Sequence, residues 1–281
     1  MRTLVLSASK IGIAQTCAEK YNLHYNQRLR TYNRASYLET GDLMHHMLDV
    51  YYRLKMLGDI NVEDSVDAAV EMGRLHGNAE LDLTPAEIEE NVSVFREYCI
   101  FYADETWVPT ECEAPFSKIL FEDEEYIDAI GEKGLRILIE GKLDLTVEIG
   151  RNKVVVDHKT GKRRSEPHIM NNQWACYCWA KEVNNVVVNQ VGYQKTVQKF
   201  HRPTVSLSDN QLNEWKNDTI KWGKQIHDWH MKNEFTRNRT GCDSHFSSCQ
   251  FTDICGAEIG SRENIMRSLF TKSLGGSLYS E

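Results

Sequence analysis

The run Val154-Val155-Val156-Asp157-His158-Lys159-Thr160-Gly161 carries the information on which this fold turns, together with Gly141-Lys142-Leu143-Asp144-Leu145 just before it. Three consecutive valines ask for a buried strand. Side chains two apart on a strand share a face, so Asp157 and Lys159 point one way and His158 the other. A hairpin at Gly150-Arg151-Asn152 brings the preceding strand back, and Asp144 with it, toward Asp157. Two carboxylates placed this way repel each other unless a cation lies between them, and hard oxygen donors suit Mg²⁺ or Mn²⁺. Lys159 then stands where an ammonium can stabilise charge growing on a phosphoryl oxygen or orient an attacking water. The plainer alternative is an exposed edge pair with a salt-bridged lysine.

Working outward, residues 30–106 read as helical, with Leu43, Met47, Val50, Tyr51 and Leu54 at helical spacing and a second periodic set at Ile88, Val92, Phe95, Cys99 and Tyr102. Thr84-Pro85-Ala86-Glu87 supplies an N-cap, a first-turn proline and a capping-box acid. After Pro109, Glu111–Phe116, Leu135–Glu140, Lys142–Ile149 and Lys153–His158 are short β-rich segments separated by glycines, as in an antiparallel meander. A helix at 167–183, a buried strand at Val186–Gln194 and a helix from Ser208 to Lys232 follow. The order predicts an α+β fold in which helices cover a mixed central β-sheet. Four segments are expected: 1–30, an acidic helical region at 31–108, a core at 109–235, and a cysteine-bearing tail at 236–281.

Gln173-x-x-x-Tyr177 follows on the next helix, its spacing placing both side chains on one face. Asp144, then Asp157-x-Lys159, then this pair resembles the RecB-like branch of the PD-(D/E)XK nuclease superfamily. Gly41-x-x-x-His45, opening an amphipathic helix, resembles the branch's first motif; His46 and the similar Gly73-Arg74-Leu75-His76 are rivals for its histidine. The resemblance implies a restriction-endonuclease-like core in which His45, Asp144, Asp157 and the backbone carbonyl of His158 hold a divalent metal. Lys159, Gln173 and Tyr177 would complete the catalytic set, with Glu113 as a supporting acid.

Eight cysteines invite a count of spacings. Cys242-x6-Cys249-x5-Cys255 lies in a polar, turn-rich segment where three core cysteines would be out of place, and three thiolates leave a tetrahedral site one ligand short. Ser7-Ala8-Ser9-Lys10 followed by Cys17 resembles the start of RecB-like nucleases with an iron–sulfur cluster, such as the AddB-type helicase-nucleases and the CRISPR-associated adaptation nucleases. That resemblance implies a [4Fe–4S] cluster on Cys17, Cys242, Cys249 and Cys255. Zn²⁺ is the alternative, and His245 could stand in for Cys242. Cys99, Cys112, Cys176 and Cys178 sit in apolar periodic segments and read as small buried hydrophobes.

At 281 residues, 41% hydrophobic and 10% aromatic, the chain can bury a sizeable core, which excludes fibrous and disordered classes. Its net charge of −8 is unevenly spread: residues 39–148 hold 8 Lys and Arg against 27 Asp and Glu, and residues 159–240 hold 14 against 7. Lys162, Arg163 and Arg164, directly after the active strand, are placed to bind DNA phosphates, while the 39–148 region could face a protein partner. Trp215, Trp222 and Trp229 read as core at helical spacing, with stacking on a single strand open to any that are exposed. The apolar run at the start is too short for a signal peptide and none is long enough to span a bilayer, so the expectation is a cytoplasmic protein without a membrane partner. The reading that results is a Mg²⁺- or Mn²⁺-dependent DNA exonuclease acting on single strands or DNA ends. Trimming of CRISPR spacer precursors and a catalytically inert DNA-binding module are the alternatives.

Overall fold

The computed structural model describes residues 1–32, 36–58, 61–161, 166–193, 199–244, 247–273 and 279–280. In chain order these give β1 (Arg2–Leu6), α1 (Ala8–Thr16), α2 (Ala18–Tyr21), β2 (Leu29–Thr31), α3 (Ser36–Leu57), α4 (Val62–Glu80), α5 (Pro85–Phe101), β3 (Val108–Ile127), β4 (Lys133–Ile149) and β5 (Asn152–Gly161). They continue with α6 (Asn172–Lys181), β6 (Asn185–Gly192), β7 (Phe200–His201), β8 (Thr204–Ser206), α7 (Asp209–Lys232), β9 (Asp243–Ser244), β10 (Ser247–Ser248), α8 (Thr252–Gly256), α9 (Arg262–Leu269), β11 (Phe270–Lys272) and β12 (Tyr279–Ser280). The fold is α+β, with a mixed sheet flanked by helices. Among the described residues no helix is long and apolar enough to cross a membrane.

The chain divides into two compact units, Met1–Asn33 with Ser117–Gly141 and Asn213–Glu281, and Arg34–Phe116 with Lys142–Leu212. In the second unit the back half of β4 pairs antiparallel with β5 from Leu145↔Val156 to Ile149↔Asn152, through the expected Gly150 turn, where φ is +64°. β5 then pairs with β6 in parallel, from Val155↔Val186 to Gly161↔Gly192, which makes the sheet mixed, as expected. Helix α6 makes the crossover that a parallel pair requires. Strand β6, Asn185–Gly192, has six consecutive buried residues, as befits a strand covered on both faces.

The helical stretch expected at 30–106 is three helices, α3, α4 and α5. Asn61 caps α4 by accepting from the Asp64 N–H, and Thr84 with Glu87 forms the full capping box at α5 behind Pro85. Leu43, Met47, Tyr51, Val66, Val70, Ile88, Val92 and Phe95 from these helices join Leu145, Val147, Val154 and Val156 in one core. Gly73 permits the close approach of α4 to α3, since a Cβ there would lie 2.5 Å from Met47 Cγ.

In the first unit β1 pairs in parallel with the front half of β4, Arg2↔Leu135 to Leu6↔Ile139. Leu4, Leu6, Ile137 and Ile139 are all fully buried along this ladder. Leu135–Glu140 and Lys142–Ile149, read as separate strands, are one strand with Gly141 inside it. A smaller apolar cluster of Leu23, Leu29, Phe251, Ile254 and Phe270 packs beside Cys249 and Cys255.

Candidate active site

Gly41 explains how α3 reaches β5. A Cβ at that position would sit 2.9 Å from Thr160 Oγ1, so glycine lets the helix lie against the end of the strand. One turn later His45 arrives beside Asp144, with Nδ1 3.8 Å from Oδ2. The strand alternation holds as read. His158 faces α3, its ring edge-on to His45 at 5.7 Å and stacked on Tyr52, while Asp157 and Lys159 face α6. Its backbone N–H nevertheless donates to Asp144 Oδ2 at 2.7 Å, fixing that carboxylate.

On the α6 side, Lys159 Nζ lies 3.0 and 2.8 Å from the two oxygens of Asp157 and donates to Gln173 Oε1 at 3.0 Å. Gln173 Nε2 donates to the Tyr177 hydroxyl at 2.7 Å, which in turn donates to the Lys142 carbonyl at 3.0 Å. Gln173 and Tyr177 thus share a helix face, as their spacing predicts, and tie α6 to β4. Trp174, on the same helix, also reaches the site. Its Nε1 donates to Asp157 Oδ2 at 3.2 Å, so the fully buried Asp157 is bound by both lysine and indole. Trp174→Phe is expected to lower stability by about 2 kcal/mol, the order of a hydrogen bond to a buried charge, read as a shift in urea midpoint; an unchanged midpoint would contradict that role.

His45, Glu113 and Asp144 each offer one ligand atom, and these atoms all lie within 4.8 Å of one another. No other group of three histidines, cysteines, aspartates or glutamates does so among the described residues. Asp157 is not in the group, and Glu113, read as a supporting acid, is. Glu113 has φ +47°, a left-handed residue inside β3 that redirects its side chain as a bulge does. Its carboxylate is ion-paired with Lys142. Burial, reinforced by the charge of Asp157, pushes the Asp144 carboxyl up to about 6, against the opposing pull of His45, the His158 N–H and Lys159. A half-buried carboxylate held uphill beside an imidazole and a second acid is a donor set suited to a divalent cation. It lines a cavity of about 760 Å³ that also takes in His46, His76 and Arg53. His46 and His76, the rivals of His45, stack on each other at 4.3 Å instead of joining the group.

The cysteines fall into two sets. Cys99, Cys112, Cys176 and Cys178 are buried, as expected, and burial pushes the Cys112 thiol up to about 11 and the others up to about 12. Cys17, Cys242, Cys249 and Cys255 line one cavity of about 350 Å³ with Lys20 and Arg237. The Asn238 N–H approaches Cys17 Sγ at 3.3 Å, and Arg237 donates to the Cys255 carbonyl at 3.2 Å. No three of these sulfurs come within 4.8 Å of one another, so the thiols share a cavity without converging on a single point. His245 lies outside the described residues, as do Lys162, Arg163 and Arg164. Among the described residues of the rest of the basic stretch, Lys181 pairs with Glu111 at 2.7 Å, Lys199 with Glu97, Lys221 with Asp218 at 2.9 Å and Arg202 with Glu105 at 2.6 Å.

No curated protein matches the chain. Among solved structures, it is similar to a putative exonuclease from Eubacterium rectale, at 13% identity over 90% of this chain and 94% of that one, with a TM-score of 0.46. It is also similar to SSO0001, at 15% identity over 67% and 81% with a TM-score of 0.32, and to LHK-Exo in complex with dAMP, at 8% identity over 69% and 97% with a TM-score of 0.32. Residues 5–256 match the family described as the PD-(D/E)XK nuclease superfamily, a span that takes in every residue of the site above. The chain belongs to the PD-(D/E)XK nuclease superfamily.

Proposed function

We propose that the protein is a divalent-metal-dependent deoxyribonuclease acting on single-stranded DNA or DNA ends. The observation that carries this reading is the convergence of His45, Glu113 and Asp144 beside the hydrogen-bonded chain Asp157–Lys159–Gln173–Tyr177. His45, Glu113 and Asp144 would hold the ion, with Asp157 and the His158 carbonyl as further ligands. The ion supplies activation of a water and neutralisation of phosphate charge. A mixed nitrogen and oxygen set accepts Mn²⁺ more readily than Mg²⁺, which favours oxygen throughout. Lys159, shared between an acid and an amide and 43% exposed, is free enough to turn its ammonium toward a phosphoryl oxygen or the attacking water. Gln173 and Tyr177 limit where that ammonium can go. Tyr37, 69% exposed at the rim of the cavity, offers an aromatic face to a splayed base, which favours single strands and frayed ends. Lys162, Arg163 and Arg164 would bind backbone phosphates.

The four-cysteine cavity is read as the seat of a [4Fe–4S] cluster. What supports that reading is that Cys17 from one end of the chain and Cys242, Cys249 and Cys255 from the other line one cavity; their sulfurs do not gather there as ligands of one centre. Iron and zinc analysis of anaerobically purified protein separates a cluster from a zinc site.

The test of the nuclease is end-labelled single- and double-stranded DNA with Mn²⁺ or Mg²⁺. The parent is expected to cleave, and Lys159→Ala to cleave about a hundredfold more slowly or worse while still binding DNA. Equal rates would overturn the site assignment. Binding without cleavage by the parent would favour the inert module.

A further inference from the structure

Behind the metal group lies a buried polar network whose every hydrogen bond has its direction forced from its ends. Arg202 can only donate and an ionised Glu105 can only accept. Arg202 sits between the Tyr102 and Trp107 rings, paired with Glu105, and donates through Nη2 to the Tyr98 hydroxyl at 2.6 Å and the Tyr52 hydroxyl at 3.1 Å. Tyr52 donates to Glu105 Oε2 at 3.1 Å, which leaves Tyr98 to donate to Tyr52 across 2.8 Å. The Arg202 Nε donates to Asn189 Oδ1 at 3.1 Å. With its oxygen committed, Asn189 must turn its amide nitrogen toward the Tyr98 hydroxyl at 3.0 Å and His158 Nδ1 at 2.7 Å. His158 and Asn189 are register partners on β5 and β6, and both are buried.

We propose that Asn189 is a positioning residue for the metal site. It acts through His158. The imidazole is fixed by the Asn189 amide at Nδ1, by the Tyr52 ring stacked at 5.9 Å, and by the His45 ring at 5.7 Å. Fixing that ring fixes the middle residue of Asp157-His158-Lys159, whose N–H holds Asp144 at 2.7 Å. Partners one step removed from metal ligands commonly change metal affinity by about 10- to 100-fold when lost. The inference rests on the metal-site reading given under Proposed function.

The experiment is a Mn²⁺ titration of the full chain followed by electron paramagnetic resonance, with thermal melts alongside. Asn189→Ala leaves the Arg202–Glu105 pair in place and is expected to fold, with its Mn²⁺ dissociation constant raised about tenfold or more. Tyr52→Phe removes one hydroxyl from the same network but keeps the stacked ring and the Asn189–His158 bond; its dissociation constant is expected within about twofold of the parent. A purely structural network predicts that affinity follows melting temperature in both variants. Unchanged affinity in Asn189→Ala, or equal loss in the two variants, would overturn the role of Asn189. No saturable Mn²⁺ binding by the parent would overturn the metal site itself, and the inference with it.

Discussion

Asp144→Asn is expected to give a protein that cuts DNA about a thousandfold more slowly, yet without metal resists denaturant better than the parent. The carboxyl is held at about 6 in the fold, from an ordinary value of 3.8, first by burial and then by the neighbouring charge of Asp157. Its side chain is 13% exposed, so little solvent relieves it. In neutral solution the folded state therefore carries an anion it disfavours, at a cost of at most about 3 kcal/mol. The sign follows from the raised value: the cost is complete above pH 6, shrinks as pH falls through 6, and is gone below about 4, where both states are protonated. Asparagine has the same shape and no charge. In chelator, urea unfolding should favour Asp144→Asn at pH 7.5 and show the two proteins converging near pH 4. Saturating Mn²⁺ should reverse the order, because only the parent gains the stabilisation that tight binding to the native state provides. A variant less stable than the parent at pH 7.5 in chelator would show that the Asp144 carboxylate serves the fold as well as the metal.

The parts of this site that lie in one stretch of chain are legible in the sequence. Alternation along Val154–Gly161 puts Asp157 and Lys159 on one face and His158 on the other, and the four-residue spacing puts Gln173 and Tyr177 together; both arise from local geometry. Gly41-x-x-x-His45 was legible for a reason the structure supplies, since the glycine is what lets α3 touch Thr160. Glu113 was underweighted because its place depends on a left-handed backbone at a glutamate, which no periodicity announces. Arg202 is one of the basic residues of the 159–240 stretch, but it does not face open solvent. Its burial depends on Glu105, on the far side of β3, β4 and β5 in sequence, and on the Tyr102 and Trp107 rings, and no local pattern joins those residues.

The parallel pairings inside the expected mixed sheet carry no local signal in the sequence, for a related reason. Hairpins announce themselves by a turn, as Gly150 does, whereas β1 with β4 and β5 with β6 meet only after long excursions. Gly141 looked like a boundary between strands because glycine is depleted from strand interiors. It lies within β4, where the structure passes from the pairing with β1 to the pairing with β5.

With the proposed cluster seated in the four-cysteine cavity, Cys17→Ser should cost the protein both its colour and a large part of its thermal stability. Cys17 follows α1, and the other three thiols of its cavity follow α7, so a shared cluster closes a loop of roughly 240 residues. By the chain-entropy argument used for disulfides, a cross-link of that span is worth about 5 kcal/mol, because it removes freedom from the unfolded chain. For a protein of this size that corresponds to a fall in melting temperature on the order of 10 °C. The apolar contacts among Leu23, Leu29, Phe251, Ile254 and Phe270 act on the same ends of the chain, so the unit should loosen without unfolding outright. Cys99→Ala separates the two effects. That thiol is buried in the other unit, so its loss should lower the melting temperature through a small cavity and leave iron content and colour untouched. If Cys17→Ser keeps the parent's iron and melting temperature while Cys99→Ala behaves as stated, Cys17 is not a ligand and the cavity's other three thiols must find their fourth elsewhere. If both variants lose stability and neither preparation contains iron, the four thiols line an ordinary cavity. Loss of iron together with the large fall in melting temperature, in Cys17→Ser alone, is the result that requires one centre held from both ends of the chain.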